Sequence, residues 1–277
     1  MWKIFFLFGL LLFVPQVQAQ DTRLFDAALY SQKTDVIRLI ESGASVSQER
    51  DDGAQPLHGA AFGGSVEIVK LLVDKGAHID CRNKAGMTPL YFAAAEGHQE
   101  VVDWLLNHGA NVNASSGQGA PALFPAAGNG HVHVVRTLLQ HGADMNAVNH
   151  SGVSVVHAAT SGGFPDVVKL LIESGANVNI KEREYDATPL HWAAFFRKDD
   201  IGSLLIAAGA DLSARDKFGA TPLHSAAMAN DLALAKLLVE HGADITIQTR
   251  DGQTAYDFAK KKRSREVASY LKSLKRR

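Results

Sequence analysis

The chain has 277 residues, 46% of them apolar, 21% charged and 8% aromatic, with a formal net charge of −1. That length buries a substantial core, and the composition excludes a disordered chain and a chain embedded in membrane throughout. The single cysteine, Cys81, rules out an intrachain disulfide scaffold and a Cys-only zinc site, and the near-neutral total argues against a generic nucleic-acid binder.

Residues 1–19 read as a secretory signal peptide. Lys3 supplies a positive start, Ile4 to Val14 is an uncharged apolar run of 11 residues, and Val17-Gln18-Ala19 offers a cleavage site before Gln20. Eleven helical residues rise only about 16 Å against roughly 30 Å of hydrocarbon, too little to span a bilayer. No cysteine follows the run, which disfavours a lipid anchor. The expectation is therefore export, to a periplasm or, alternatively, by secretion.

From Gln20 onward the chain repeats. Gly-Ala pairs begin at Gly43, Gly76, Gly109, Gly142, Gly175, Gly209 and Gly242, every 33 residues except for one step of 34 between Gly175 and Gly209. A fixed period of this length means stacked supersecondary units, and it overrides any domain count based on length. In the same phase stand Gln55-Pro56-Leu57-His58, Thr88-Pro89-Leu90-Tyr91, Thr188-Pro189-Leu190-His191 and Thr221-Pro222-Leu223-His224. Two copies, Pro121-Ala122-Leu123-Phe124 and Ser154-Val155-Val156-His157, are degraded.

Each part of the unit has a physical job. The threonines accept backbone N–H bonds at a helix start, and proline follows where its missing donor costs nothing. Alanine pairs such as Ala93-Ala94 favour helix and allow close packing. A second, apolar helix follows, and the Gly-Ala glycine ends it in a left-handed conformation. The division is 20–50 as an N-terminal cap unit, 51–250 as six internal units and 251–277 as a C-terminal cap. The second helix of the N-terminal cap is expected to be one residue shorter than the others. The extra residue of the 34-residue step is expected in the loop 181–184.

These phased motifs resemble the ankyrin repeat, with its 33-residue unit and T-P-L-H-x-A signature, over about residues 21–277. The resemblance implies an all-α repeat solenoid of stacked helix-turn-helix units with β-hairpin-like finger loops. It also implies hydrogen-bonding roles for His58, His157, His191 and His224 within and between repeats. An array behind a plain leader looks most like a bacterial periplasmic ankyrin-repeat protein.

The candidate chemistry is sparse. His108, His141 and His241 each precede a terminating glycine and suit the negative end of a helix dipole. His131 and His133 are the one close pair outside the pattern, and residues two apart on a helix point in different directions. Cys81 follows Asp80 in a finger beside Arg82, which reads as a free turn residue with a slightly lowered pKa. The chain has no nucleophile elbow and no phosphate-cradling glycine loop. No catalytic residue, metal ligand or cofactor is expected.

Recognition is the remaining candidate. In the family, partner-facing positions flank the finger glycine and follow the alanine pair, so the first two internal repeats offer Phe62 and Met87. The middle repeats are small and polar. The fifth brings Tyr185, Phe195 and Phe196, with Trp192 one turn away, and the sixth adds Phe218 and Met228. Aromatics exposed together mark an interface; the competing reading packs Trp192 and Phe195 between first helices.

Charge is also uneven. Residues 260–277 hold nine basic residues and one acidic, while Gln20 to Ala259 has a net charge of −10. The basic end reads as a solvated cap, with weak contact to an acidic protein or an anionic membrane surface as the alternative. The acidic body repels nucleic acid. The reading is an exported, monomeric, non-enzymatic module that binds a protein partner on the concave face of the stack. The alternatives are a secreted effector or toxin-immunity factor, or a metal- or thiol-linked stress-protection factor. The degraded third and fourth internal repeats are expected to be the weakest part.

Overall fold

A computed structural model describes residues 22–274, and in it sixteen short helices pair into eight helical hairpins. The expected leader, 1–19, lies outside the described residues. The first hairpin is α1 (Arg23–Leu29) with α2 (Lys33–Glu41), and the second is α3 (Pro56–Phe62) with α4 (Val66–Asp74). Next come α5 (Pro89–Glu96) with α6 (Gln99–Asn107), and α7 (Leu123–Gly128) with α8 (Val132–Gln140). Then follow α9 (Val155–Gly162) with α10 (Pro165–Glu173), and α11 (Pro189–Phe195) with α12 (Asp199–Ala207). The last two are α13 (Pro222–Ala229) with α14 (Leu232–Glu240), and α15 (Ala255–Lys261) with α16 (Arg265–Leu274). First helices pack on first helices and second helices on second, making a two-row, all-α solenoid. Among the described residues the fingers hold only three isolated antiparallel bridges, Ser115–Pro121, Val148–Ser154 and Gln248–Thr254, so they are turns more than hairpins.

Local chemistry explains the units. Thr88 Oγ1 accepts the Tyr91 N–H at 3.3 Å, with Pro89 at the first helical position. The leucines Leu57, Leu90, Leu123, Leu190 and Leu223 are buried between the rows, and Val156 fills that place in the fourth repeat. Alanines such as Ala93, Ala94, Ala193 and Ala194 are fully buried, where a larger side chain would separate neighbouring first helices. The seven terminating glycines have φ between 82° and 95°, a region where only glycine is free of Cβ strain. The N-terminal second helix corrects the expectation: α2 has nine residues, as α4 does. Ser31 adopts φ 56° and closes the preceding turn tightly enough for the helix to begin at Lys33.

Polar bonds cross every joint between adjacent fingers from the first internal repeat onward. The amides of Lys84, Gly117, His150, Arg183, Lys217 and Arg250 donate to the carbonyls of Asp52, Ala85, Gln118, Ser151, Tyr185 and Phe218, at 2.7–2.9 Å. The motif histidines add a second link. Nδ1 of His191 accepts the Thr188 N–H at 3.2 Å, and Nε2 donates to the Ala220 carbonyl of the next repeat at 3.1 Å. His58, His157 and His224 do the same toward Met87, Ala187 and Gln253. Tyr91 and Phe124 occupy that place in the second and third internal repeats, so the joints that follow them lack the link.

Two sequence expectations are refined. The third internal repeat is degraded in structure: α7 has six residues and its N-cap, Ala122, offers no side-chain bond. The fourth is not, because Ser154 and His157 form a complete, fully buried capping box. The extra residue of the fifth repeat lies at 184–186, slightly beyond the expected 181–184, because Arg183 still occupies the ladder position of Lys84. The longer turn is held by Glu182, which is 2% exposed and accepts the N–H groups of Glu184, Tyr185 and Ala187. Asn83, Asn149 and Asp216 hold the shorter turns with a shorter side chain.

Candidate interaction surface

The fifth and sixth fingers carry Tyr185 and Phe218 out at their tips. Their rings lie 6.4 Å apart, with Lys217 Nζ 4.6 Å from the Tyr185 ring centre and 5.6 Å from that of Phe218. Such cation–π contacts hold the tips as one unit. A hydrogen bond to the Glu184 carboxylate raises the Tyr185 hydroxyl above its ordinary pKa.

Below the tips, α11 presents Trp192, Phe195 and Phe196. The Phe195 and Phe196 rings meet edge to face at 5.2 Å, and Phe196 meets Trp192 at 5.9 Å. Phe195 and Phe196 are 50% and 44% exposed, and Tyr185 and Phe218 are 45% and 54% exposed. Trp192 is half-buried, its ring against His157 of the preceding repeat at 4.9 Å. The competing reading thus fits Trp192 but not Phe195.

Together these groups wall a cleft of about 510 Å³ in the angle between fingers and first helices. Met228 and Ser225 on α13 form its far side, and Phe258 on α15 closes the end. The chain pattern had identified Tyr185, Trp192, Phe195, Phe196, Phe218 and Met228, and the fold brings all six into this cleft. Ser225 and Phe258 were missed, although each stands four residues after the capping threonine, the phase of Trp192. Phe62 and Met87 do not join it. Phe62 is 42% exposed in a separate small cluster with Phe92 at 6.3 Å, and Met87 is half-buried. The position after the finger glycine also faces inward more than expected, since Ala54, Ala120 and Ala220 are buried, as is Ala187 after Asp186 in the fifth repeat.

Four of the remaining histidines are engaged by the scaffold. His108, His141 and His241 sit with Nδ1 at 2.7–2.9 Å from the carbonyls of Trp104, Thr137 and Leu237, capping the ends of their helices. His131 Nε2 meets the Ala95 carbonyl at 2.9 Å.

A family model described as ankyrin repeats matches in three copies, over residues 24–116, 123–216 and 190–276. The chain belongs to the ankyrin-repeat family. A search of curated proteins gives no match. Ankyrin repeats are generally protein–protein interaction modules and typically not enzymes. Among the described residues of this ankyrin stack no group of three or more His, Cys, Asp or Glu side chains is placed to hold a metal ion. No described helix is long and apolar enough to cross a membrane.

Cys81 corrects the sequence expectation. It is 7% exposed, its Sγ 3.7 Å from Nδ1 of the motif histidine His58, and burial pushes the thiol up to about 12. In the ankyrin unit it fills the phase of the buried Ala114 and Ala214, so the repeat sets its environment and Arg82 does not. Arg82 turns away, bonding the carbonyls of Gly86 and Ser115. A buried, protonated thiol is a poor nucleophile, which removes the chemical basis of a thiol-linked role.

Proposed function

We propose that this ankyrin-repeat chain is exported and acts as a non-enzymatic, monomeric module that captures a protein partner in the aromatic cleft of its fifth and sixth internal repeats. One observation carries the reading: four large aromatic side chains, each about half exposed, face one apolar cleft on a rigid stack. Such clusters supply most of the energy of known interfaces, and a preorganised surface loses little entropy on binding. Export is supported by the charge and apolar pattern of residues 1–19, in a periplasm or beyond the cell.

The test compares affinity capture from the exported compartment by the native chain and by a Phe196→Ala/Phe218→Ala variant. Both side chains are half in water, so the variant should melt within a few degrees of the native protein while losing its partner. A large drop in Tm would place the two rings in the core and overturn the reading. Unchanged capture would move the binding surface elsewhere.

A further inference from the structure

We propose that the carboxyl groups of Asp199 and Asp231 share one proton across the joint between the fifth and sixth internal repeats, a buried latch that closes as the surroundings turn mildly acidic. The inference stands apart from what occupies the cleft.

The latch follows from the place of Asp231 in the repeat. It is the N-cap of α14, and its Oδ1 accepts the Leu234 N–H at 3.0 Å. Side chains in this phase reach back to the preceding repeat. Nε2 of His98 meets the Phe62 carbonyl at 2.7 Å, and Nε2 of His131 meets that of Ala95 at 2.9 Å. Asp231 reaches back likewise, but the group it meets is the carboxyl of Asp199, in the first turn of α12. Asp231 is 1% exposed, and its Oδ2 is sealed from water with no hydrogen-bond donor among the described residues. No other repeat carries an acid at this phase.

An oxygen so placed asks for a proton. With both carboxyls ionised, like charges stand together in a buried joint and an acceptor faces an acceptor. One proton removes both faults, because the protonated carboxyl becomes a donor to the other and one charge disappears. The surrounding charges do not do this instead. Arg197, in the turn before α12, is the cation that acts on Asp231, yet it is in none of the ion pairs found among the described residues. Lys198 turns back against Gly163, and Asp200 Oδ1 accepts the Ile201 N–H. From the other helices packed on α14, His224 lies at the opposite end of α13, bonded to Thr221 and Gln253. Arg265 and Glu266 of α16 gather around Leu232 and Lys236 instead.

Burial first, and then the facing Asp199, push Asp231 from 3.8 up to about 6. Between those values the folded chain holds a proton that the unfolded chain has released. The contribution of this site to stability therefore rises as pH falls through about 6. The histidine of the same joint runs the opposite way. His191, faced by Asp216, Lys181 and His224, is lowered by burial, and the ring no longer accepts the Thr188 N–H once acid charges it. Acid thus moves the grip of this joint from its first-helix row to its second-helix row.

The test follows the full chain by NMR of its aspartate carboxyl carbons and by hydrogen exchange of the α14 amides, from about pH 5 to 8. In the native chain one carboxyl should titrate near 6, and that step should vanish in Asp231→Asn and in Asp199→Asn. Either amide supplies the missing donor at every pH, and asparagine caps a helix as well as aspartate does. At about pH 8 the α14 amides of each variant should therefore exchange at least tenfold more slowly than those of the native chain. Near pH 5 the three proteins should agree. No aspartate step above about 5 in the native chain, or a step near 6 that survives in both variants, overturns the latch without reference to the variants' stability. A ratio of exchange rates that stays constant with pH, or faster exchange of both variants at about pH 8, overturns it as well. Calcium that slows native α14 exchange at about pH 8 and leaves the variants unchanged would replace the shared proton with a bound cation.

Discussion

Acid should loosen the stack at the fourth internal repeat, and the size of the effect follows from His157. That ring is fully buried, its Nδ1 accepting the Ser154 N–H at 3.2 Å while Nε2 donates to the Ala187 carbonyl at 3.1 Å. The bond accepted at Nδ1 requires the neutral ring, and burial lowers its pKa from 6.5 to about 4. The unfolded chain binds this proton as pH falls below 6.5; the folded chain resists until about 4. Between those values the unfolded state holds more protons, so the stability contribution is complete above 6.5 and is lost on the way down to about 4. The shift corresponds to about 3 kcal/mol from this one group. The same burial lowers His58, His191 and His224 and adds in the same direction.

The perturbation is His157→Gln, followed by urea unfolding and by hydrogen exchange of α9 amides across that pH range. Near neutral pH the variant should be less stable by about 1–3 kcal/mol, having lost a buried acceptor and donor pair. On acidification its deficit should shrink, because the native ring has by then lost its advantage. Parallel pH profiles for the two proteins would refute the linkage argument.

Two further outcomes follow from the fold. The amides of α7 should exchange faster than those of α9, since α7 has no side-chain cap and no histidine link; Pro121→Thr/Ala122→Pro/Phe124→His should slow them about tenfold. Exchange mass spectrometry reads this directly, and equal protection of α7 and α9 in the native chain would contradict it. Cys81 should resist a maleimide at mildly alkaline pH in the folded protein and react fully in denaturant, because its thiol is buried and pushed up to about 12. Rapid labelling without unfolding would restore a reactive role for it.

Much of this architecture is legible because its signals recur. Threonine, proline, glycine and paired alanines have backbone or packing roles that do not depend on distant residues, so phase alone locates helix starts and ends. The fourth repeat misled because its Ser154-Val155-Val156-His157 lacks the proline, yet serine and histidine perform the same two bonds. Cys81 was misread through its chemical neighbours, when the alanines at the same phase already marked a buried position. The aromatic members of the cleft were visible one by one. Its depth was not, since the space depends on how Ser225 and Phe258 from later units stand beside Trp192. Glu182 was likewise invisible, because only the folded turn shows three amides converging on one carboxylate.

The ladder between fingers runs through main-chain atoms, and its acceptors at the cleft are the carbonyls of Tyr185 and Phe218 themselves. The residues most exposed to a visitor therefore cement the array with the one portion of themselves that mutation leaves intact. Natural variation is free to redraw the docking chemistry at those tips, exchanging one specificity for another, while the joint beneath remains as firm as before.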